Sequence, residues 1–225
     1  MLKSIITKTH STGASAAKIK AIDEEIGTCM HPFTSILYDI RTILGEQEVT
    51  YLEIGSYRGN SACLMLSHDF PTRVIGIDAC TLNFKDGAQA DVIHANVKHF
   101  GGEGRFELRQ GFSTNPSIIE GLKRDGVAVD ILFIDGGHDF KTVVADWKNY
   151  EPFVKPGGFI VFDDYNDLVH SPQVKPAVDS VVSSLEEGKM EIVGCIDNVL
   201  NLKVAPNVKY PNKGLCNDFI LRKIK

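Results

Sequence analysis

With 225 residues, 43% of them hydrophobic and 24% charged, the chain is long enough to bury one substantial core, as a single domain or a domain with a small cap. A net charge of −5 gives no broad positive field, which argues against a nucleic-acid backbone as partner and favours a small neutral or cationic ligand. Five scattered cysteines with no C-x-x-C pair speak against a disulfide framework or a zinc site and for a reducing, cytoplasmic setting, and no apolar run reaches signal-peptide or transmembrane length.

Residues 1–45 are expected to form an arm and one helix, and residues 46–225 the main domain. The opening MLKSIITKTHSTGASAAKIK contains no acid and several Ser and Thr, a faint likeness to an organelle transit segment; a flexible arm or an active-site lid is the preferred reading. Phe33, Ile36, Leu37, Ile40, Ile43 and Leu44 recur at helical spacing before Gly45 and predict the first structured element, a helix over Phe33–Leu44. From Val49 the pattern alternates: strand Thr50–Ile54, helix from about Asn60, strand Arg73–Ile77, helix near Ala88–His99, strand Arg105–Arg109, helix near Pro116–Lys123, strand Asp130–Ile134. Val143, Trp147, Tyr150 and Val154 form the apolar stripe of the next helix, which Pro156-Gly157-Gly158 is expected to end, with strand Phe159–Phe162 directly after. Val178, Val181, Val182 and Leu185 mark a last helix closed by Gly188. The runs Glu191–Cys195 and Phe219–Leu221 then finish the sheet, joined by a long connection through Pro206, Pro211 and Gly214. The whole predicts an α/β fold: a doubly wound, mostly parallel sheet with helices on both faces and an N-terminal helical lid.

In such sheets ligands bind beyond the C-terminal ends of the strands. Here those ends read Glu53, Asp78, Asp135 and Asp163-Asp164. One acid at a strand end is ordinarily a solvated terminus or a helix cap; four of five central strands ending so point to a ligand. Asp135 and the Asp163-Asp164 pair close two strands of one βαβ unit, which places their carboxylates together. Two unit charges about 4 Å apart near a surface repel by roughly 4 kcal/mol, and a bound divalent cation would relieve that.

The first strand–helix turn is Glu53-Ile54-Gly55-Ser56-Tyr57-Arg58-Gly59, followed by Asn60-Ser61 as the expected N-cap. Gly55 is expected to let the backbone turn close to a ligand and Gly59 to let the helix approach. A dinucleotide fingerprint needs a glycine where Tyr57 stands, so a pyrophosphate ligand is disfavoured. Asp78 ends the next strand, where a carboxylate can accept from both hydroxyls of a ribose. Together these features imply a nucleoside without phosphates.

The succession LEIGSYRGNSA, VIGIDA, LFIDGGHDF, PGGFIVFDDY and VKPAVDSVV resembles class I S-adenosylmethionine-dependent methyltransferases, whose sheet is Rossmann-like, and more narrowly the metal-dependent sugar O-methyltransferases of the macrocin O-methyltransferase type, over about Thr50 to Ser184. The resemblance implies that Glu53, Gly55, Ser56, Gly59 and Ser61 surround the methionine part of S-adenosylmethionine, that Asp78 holds its ribose, and that Asp135, Asp163 and Asp164 bind Mg²⁺ or another divalent cation, with Asp135 also beside the cofactor. Where many relatives carry an acid near the adenine, this chain has Gly111-Phe112-Ser113. Ser113 is a polar candidate there; Phe112 is read as core, with stacking on the base as the alternative. His138, three residues past Asp135 on the glycines of Asp135-Gly136-Gly137-His138, is the candidate general base, since imidazole titrates near neutrality. His31, His68, His94 and His99 are read as structural, His170 as structural or a substrate-loop residue, and Asp179 as an organiser of its helix.

The expectation is a Mg²⁺-dependent O-methyltransferase acting on a sugar, a glycosylated metabolite or a similar small diol, with neither nucleic acid nor membrane as partner and with a homo-oligomer allowed. The close rival is a catechol-type or acyl-thioester-linked phenol O-methyltransferase. From other classes stand an NAD-dependent oxidoreductase and a non-catalytic nucleoside-binding module.

Overall fold

The computed structural model describes residues 1–27, 34–81, 90–196 and 218–225. Seven strands form one sheet: β1 (Val49–Ile54), β2 (Thr72–Asp78), β3 (Phe106–Gln110), β4 (Val129–Ile134), β5 (Val154–Phe162), β6 (Met190–Cys195) and β7 (Phe219–Lys223). Their order is β3-β2-β1-β4-β5-β7-β6, and β7 alone runs against the others. This is the doubly wound, mostly parallel α/β sheet that the alternation of apolar strands and amphipathic helices predicts.

Side chains alternate across the sheet, as the strand period of two requires. Tyr51, Val74, Phe133 and Val161 turn to one face, where helices α1 (Leu2–His10), α2 (Ala14–Ile26), α3 (Ser35–Ile43), α4 (Asn60–Leu66) and α5 (Ala90–His99) cover them. Leu52, Ile75, Leu132 and Ile160 turn to the other, under α6 (Pro116–Arg124), α7 (Phe140–Tyr150) and α8 (Val174–Ser183). Both faces are therefore dry, which is why the central strands read as nearly continuous apolar runs. No helix among the described residues is long and apolar enough to cross a membrane.

Three local expectations are corrected. The N-terminal arm is two helices packed into the core rather than a flexible segment: Leu2, Ile6, Ile19, Ile22 and Ile26 are buried at i, i+3 and i+4 spacings, and His10 Nδ1 meets Asp39 Oδ2 at 2.6 Å with both side chains buried. Helix α7 ends at Tyr150, because Pro152 brings no N–H to the ladder and Glu151–Phe153 turns as a 3₁₀ segment; Val154 already belongs to β5. Pro156-Gly157-Gly158 accordingly lies inside β5 as a bulge, where the two steps from Val129 to Ile131 match the five from Val154 to Phe159, with Gly157 at φ 87°. Helix α8 stops at Ser183, short of Gly188. Phe33, Ala88, the late connection with Pro206, Pro211 and Gly214, His31, Cys29 and Cys216 lie outside the described residues.

A fully buried arginine ties the entry edges of β1 and β2 together. Arg41, on α3, donates to the carbonyls of Gly45 (2.7 Å), Gln47 (2.7 Å) and Pro71 (2.9 Å) and to Thr72 Oγ1 (2.9 Å). Removing it takes the donor from the buried Thr72 hydroxyl and from three part-buried carbonyls, at about 1–3 kcal/mol for a buried partner, and empties a fully buried side-chain site. Arg41→Ala should lower the unfolding free energy by at least about 3 kcal/mol in a urea titration.

Candidate active site

Parallel pairing sets the levels of the strand ends. Ile54 is in register with Ile77 and Ile134, and Ile134 with Phe162, so the next residues, Gly55, Asp78, Asp135 and Asp163, form one row along the C-terminal edge. The central member of that row has no side chain. Asp78 and Asp135 flank it two strand spacings apart, roughly 10 Å, which leaves a gap between two acids at the middle of the sheet. A cavity of about 610 Å³ opens there, lined among others by Gly55, Asp78, Ser113, Asp135 and His138. That volume suits a small organic ligand. No described residue of α1, α2 or α3 lines it.

Gly55 lines the cavity, and a second constraint also calls for glycine there. At φ 92°, a Cβ built on it would stand 2.7 Å from the carbonyl carbon of Asp135 and closer still to the oxygen. The close approach is therefore between two loops of the protein itself, held by Asp135 N–H donating to Ile54 O at 2.9 Å. Gly59, and not Asn60-Ser61, is the N-cap of α4, in the left-handed region at φ 85°. Its built Cβ would meet Ile93 and Val97 only at 3.6 Å, so backbone conformation, not space, calls for glycine.

Behind this turn Glu53 is fully buried. Ser61 Oγ donates to its Oε2 at 2.6 Å, while Oε1 has no hydrogen-bond partner. Burial pushes the Glu53 carboxyl up to about 7, against the lowering influence of the nearby Ser61, Ser56 and Tyr51 hydroxyls. The Ser56 and Tyr51 hydroxyls lie close but make no well-formed hydrogen bond. Glu53, Ser56, Gly59 and Ser61 thus support the loop from beneath and do not line the cavity. Asp78 lines it directly, accepting from Tyr57 N–H (2.8 Å) and Cys80 N–H (2.7 Å), one on each oxygen. That fixes the carboxylate in place and leaves each oxygen a second lone pair facing the ligand space. Tyr57 and Cys80 both have positive φ, as does Asp164; these are the three such non-glycine residues among the described ones, and all stand at this edge.

The acids of β4 and β5 gather as their spacing predicts. Successive strand residues point to opposite faces, yet Asp163 and Asp164 are both buried here, because Asp164 at φ 57° breaks the pleat. Donor atoms of Asp135, His138 and Asp164 lie within 4.8 Å of one another, a spread that suits one cation. Asp163 is outside that trio and stands against Asp135 on one side and Asp218 on the other. The Asp135 side chain keeps 30% of its surface open to the cavity, yet its enclosed position, then the charges of Asp163 and Asp164, hold its carboxyl well above the usual carboxylate range. His138 Nε2 lies 3.4 Å from Asp135 Oδ1, and Ser171 Oγ contacts both His138 Nδ1 (2.8 Å) and Asp164 Oδ2 (2.6 Å).

Asp218 escaped the sequence reading. Phe162 pairs with Phe219 across the antiparallel β5–β7 ladder, so one step further sets Asp218 beside Asp163. Neither oxygen of Asp218 makes a well-formed hydrogen bond; burial, then Asp163, pushes it well above the usual range. Its only signal was an acid at the start of an apolar strand, and the reversed direction of β7 is what brings that start to this edge. Ser171, an isolated serine in a loop, carried no signal at all.

On the wall formed by residues 111–114, Phe112 is 65% exposed, which overturns the core reading and leaves a flat aromatic face open to the ligand space. Ser113 lines the same wall, its carbonyl accepting from Tyr150 Oη at 2.7 Å. Tyr150 is fully buried and Trp147 packs partly buried on the same core, as expected. Asp146 of α7, fully buried beneath this wall, has both oxygens unpartnered, and burial pushes its carboxyl up to about 7. His68 is buried, with its Nε2 3.0 Å from Thr42 Oγ1, a structural role as expected. Asp179 receives Tyr165 Oη (2.6 Å) and Lys175 Nζ (2.9 Å), tying the β5–α8 loop to α8.

Comparison with known proteins places this edge in context. Residues 52–165, the segment carrying Glu53, Gly55, Asp78, Asp135 and the Asp163-Asp164 pair, match the model of a methyltransferase domain family. The chain belongs to that family. This methyltransferase is 34% identical over 218 residues to an uncharacterised protein of Acanthamoeba polyphaga mimivirus, covering 91% of this chain and 93% of the other. Its fold is shared with the O-methyltransferase TomG of Streptomyces achromogenes, solved with S-adenosylmethionine (TM-score 0.64, 15% identity, 94% of this chain and 90% of that one). It is shared too with an O-methyltransferase of Bacillus cereus in complex with S-adenosylhomocysteine (TM-score 0.62, 19% identity, 99% and 91%).

Two tests follow from the geometry of this methyltransferase. Gly55→Ala forces a methyl group into the Asp135 carbonyl at a backbone angle that alanine resists; it should cost at least about 3 kcal/mol in chemical denaturation and abolish nucleoside binding measured calorimetrically. Asp146 has its folded-state carboxyl at about 7 against an ordinary 3.8, so the folded state retains a proton that the unfolded state has released. Stability should therefore fall as pH rises from 3.8 to about 7. Glu53 acts with the same sign. Asp146→Asn should make that decline shallower by up to about 1.4 kcal/mol per pH unit, read from denaturation midpoints across the window.

Proposed function

We propose that the chain is an S-adenosylmethionine-dependent O-methyltransferase that uses a divalent cation, Mg²⁺ or a similar ion, to methylate a hydroxyl of a sugar or similar small diol. The observation that carries this reading is the double position of Asp135, at once a wall of the nucleoside-sized cavity and a member of the cation-sized donor cluster. Such a residue joins a cofactor site to an acceptor site at one carboxylate.

The donor chemistry fits. Asp135 and Asp164, whose oxygens belong to the cation-sized cluster with His138, would hold the cation, and Asp163, which stands against Asp135, would add a third carboxylate from beside that cluster; hard carboxylate oxygens suit Mg²⁺, and the nearby imidazole extends the choice to Mn²⁺. The unpartnered Asp218 and the raised Asp135 carboxyl describe a corner short of positive charge. When bound, the cation would lower the pKa of a coordinated hydroxyl, and the cofactor would supply an electrophilic sulfonium methyl. In the chain itself, Asp78 takes the ribose hydroxyls, Phe112 and Ser113 flank the base, and the turn over Glu53, Ser56, Gly59 and Ser61 receives the methionine end. His138 would accept the acceptor's proton at Nε2, and the transfer would require the acceptor oxygen to be held close to the methyl carbon.

The partner inferred is a small molecule in the cytoplasm, without nucleic acid or membrane; α1–α3 cap the sheet ahead of the catalytic domain. Calorimetric titration with S-adenosylhomocysteine and with NAD, each with and without Mg²⁺, should show binding of the first alone; NAD binding without a response to S-adenosylhomocysteine would reject the reading. Asp163→Ala should retain S-adenosylhomocysteine affinity within about threefold and lose cation-dependent methylation of sugar diols, followed by radiolabelled methyl transfer. Methylation of catechols in preference to sugars would move the assignment to the aromatic-diol class.

A further inference from the structure

The loop between β5 and α8 returns to the acid corner through a buried serine. Ser171 is 1% exposed, and its backbone is fixed on both sides, its N–H donating to Asp167 O at 3.2 Å and its carbonyl accepting from Val174 N–H at 3.1 Å. Its hydroxyl sits between Asp164 Oδ2 at 2.6 Å and His138 Nδ1 at 2.8 Å. On the other side of the ring, Nε2 faces Asp135 Oδ1 at 3.4 Å.

A hydroxyl owns one proton. The Ser171 hydroxyl donates to Asp164 Oδ2, the shorter of its two contacts, so toward the imidazole Ser171 can only accept. That demands a hydrogen on Nδ1. With the neutral ring protonated there, the lone pair lies on Nε2, the nitrogen facing Asp135 and the cavity.

We propose that Ser171 is the positioning residue that holds His138 in its Nδ1–H tautomer, turning the basic nitrogen toward the acid corner. The inference rests on reading His138 as the proton acceptor of the transfer. When Nε2 takes a proton from the acceptor hydroxyl, the O–H bond breaks, the N–H bond forms, and the electron pair stays on the acceptor oxygen for the methyl group. The Ser171 hydrogen bonds keep the same direction before and after that step, so the relay needs no reorganisation while charge moves. Hydrogen-bond partners on the far nitrogen of functional histidines typically matter by 10–100-fold.

The test reads the ring directly, in the full-length protein labelled with ¹⁵N-histidine. On the alkaline plateau of the ring signals in a pH series, the His138 resonances are assigned by difference against His138→Gln. The wild type should show a protonated Nδ1 and an unprotonated Nε2, with a bias of about tenfold, and Ser171→Ala should reduce that bias to about threefold or less. A wild-type ring protonated on Nε2 overturns the proposal, as does a ratio unmoved by Ser171→Ala. Because the readout is the tautomer, failure of S-adenosylhomocysteine binding would strike the methyl-transfer reading while leaving this result standing, and the reverse holds equally.

Discussion

The contact between the first and fourth strand ends governs the site. Gly55 has no side chain, and only for that reason can the β1–α4 turn lie against the carbonyl of Asp135. The in-register row of Gly55, Asp78, Asp135 and Asp163 then becomes a gap bounded by carboxylates, with two dry helical layers holding the strands at fixed spacing. Both halves of the ligand space share this joint. A cavity of nucleoside size lies on the Asp78 side and an acid corner on the Asp163 side, and Asp135 borders both.

The electrostatics follow from that packing. Asp135, Asp163, Asp164 and Asp218 stand together, with the His138 imidazole against Asp135 and Asp164. A fold does not gather four acids without cost, since each adjacent pair repels by several kcal/mol at close range. Such an arrangement persists where a cation or a shared proton balances it. The strained backbone at Tyr57, Cys80 and Asp164 belongs to the same economy of position: left-handed residues aim the side chains or N–H groups that the ligand space requires.

Most of the architecture was legible because it is carried by local chemistry. Apolar runs of strand length alternate with helical stripes from Val49 to Phe162, and the strand ends at Glu53, Asp78, Asp135 and Asp163 fall where the acids predict. The misreadings were places where one residue overrode a pattern. Pro152 ended α7 a turn early and turned Pro156-Gly157-Gly158 from a helix stop into a strand bulge. Helices α1 and α2 stand where a flexible arm or lid is the preferred sequence reading, with Leu2, Ile6, Ile19, Ile22 and Ile26 buried at helical spacing. Phe112 was read as core from its chemistry alone, and only its place on the cavity wall shows an exposed ring.

Sequence by itself determined the sheet, its two covered faces and the acids at the ends of the parallel strands, since hydrophobic period and βαβ connection leave little freedom in those features. Tertiary structure alone decided which groups join those acids. Asp218 arrives because β7 runs backwards, and Ser171 because a loop folds over His138; both depend on pairings between distant segments that no local pattern encodes. It also decided that Gly55 must make room for the Asp135 carbonyl, because the distance between two strand ends exists only once both strands are paired.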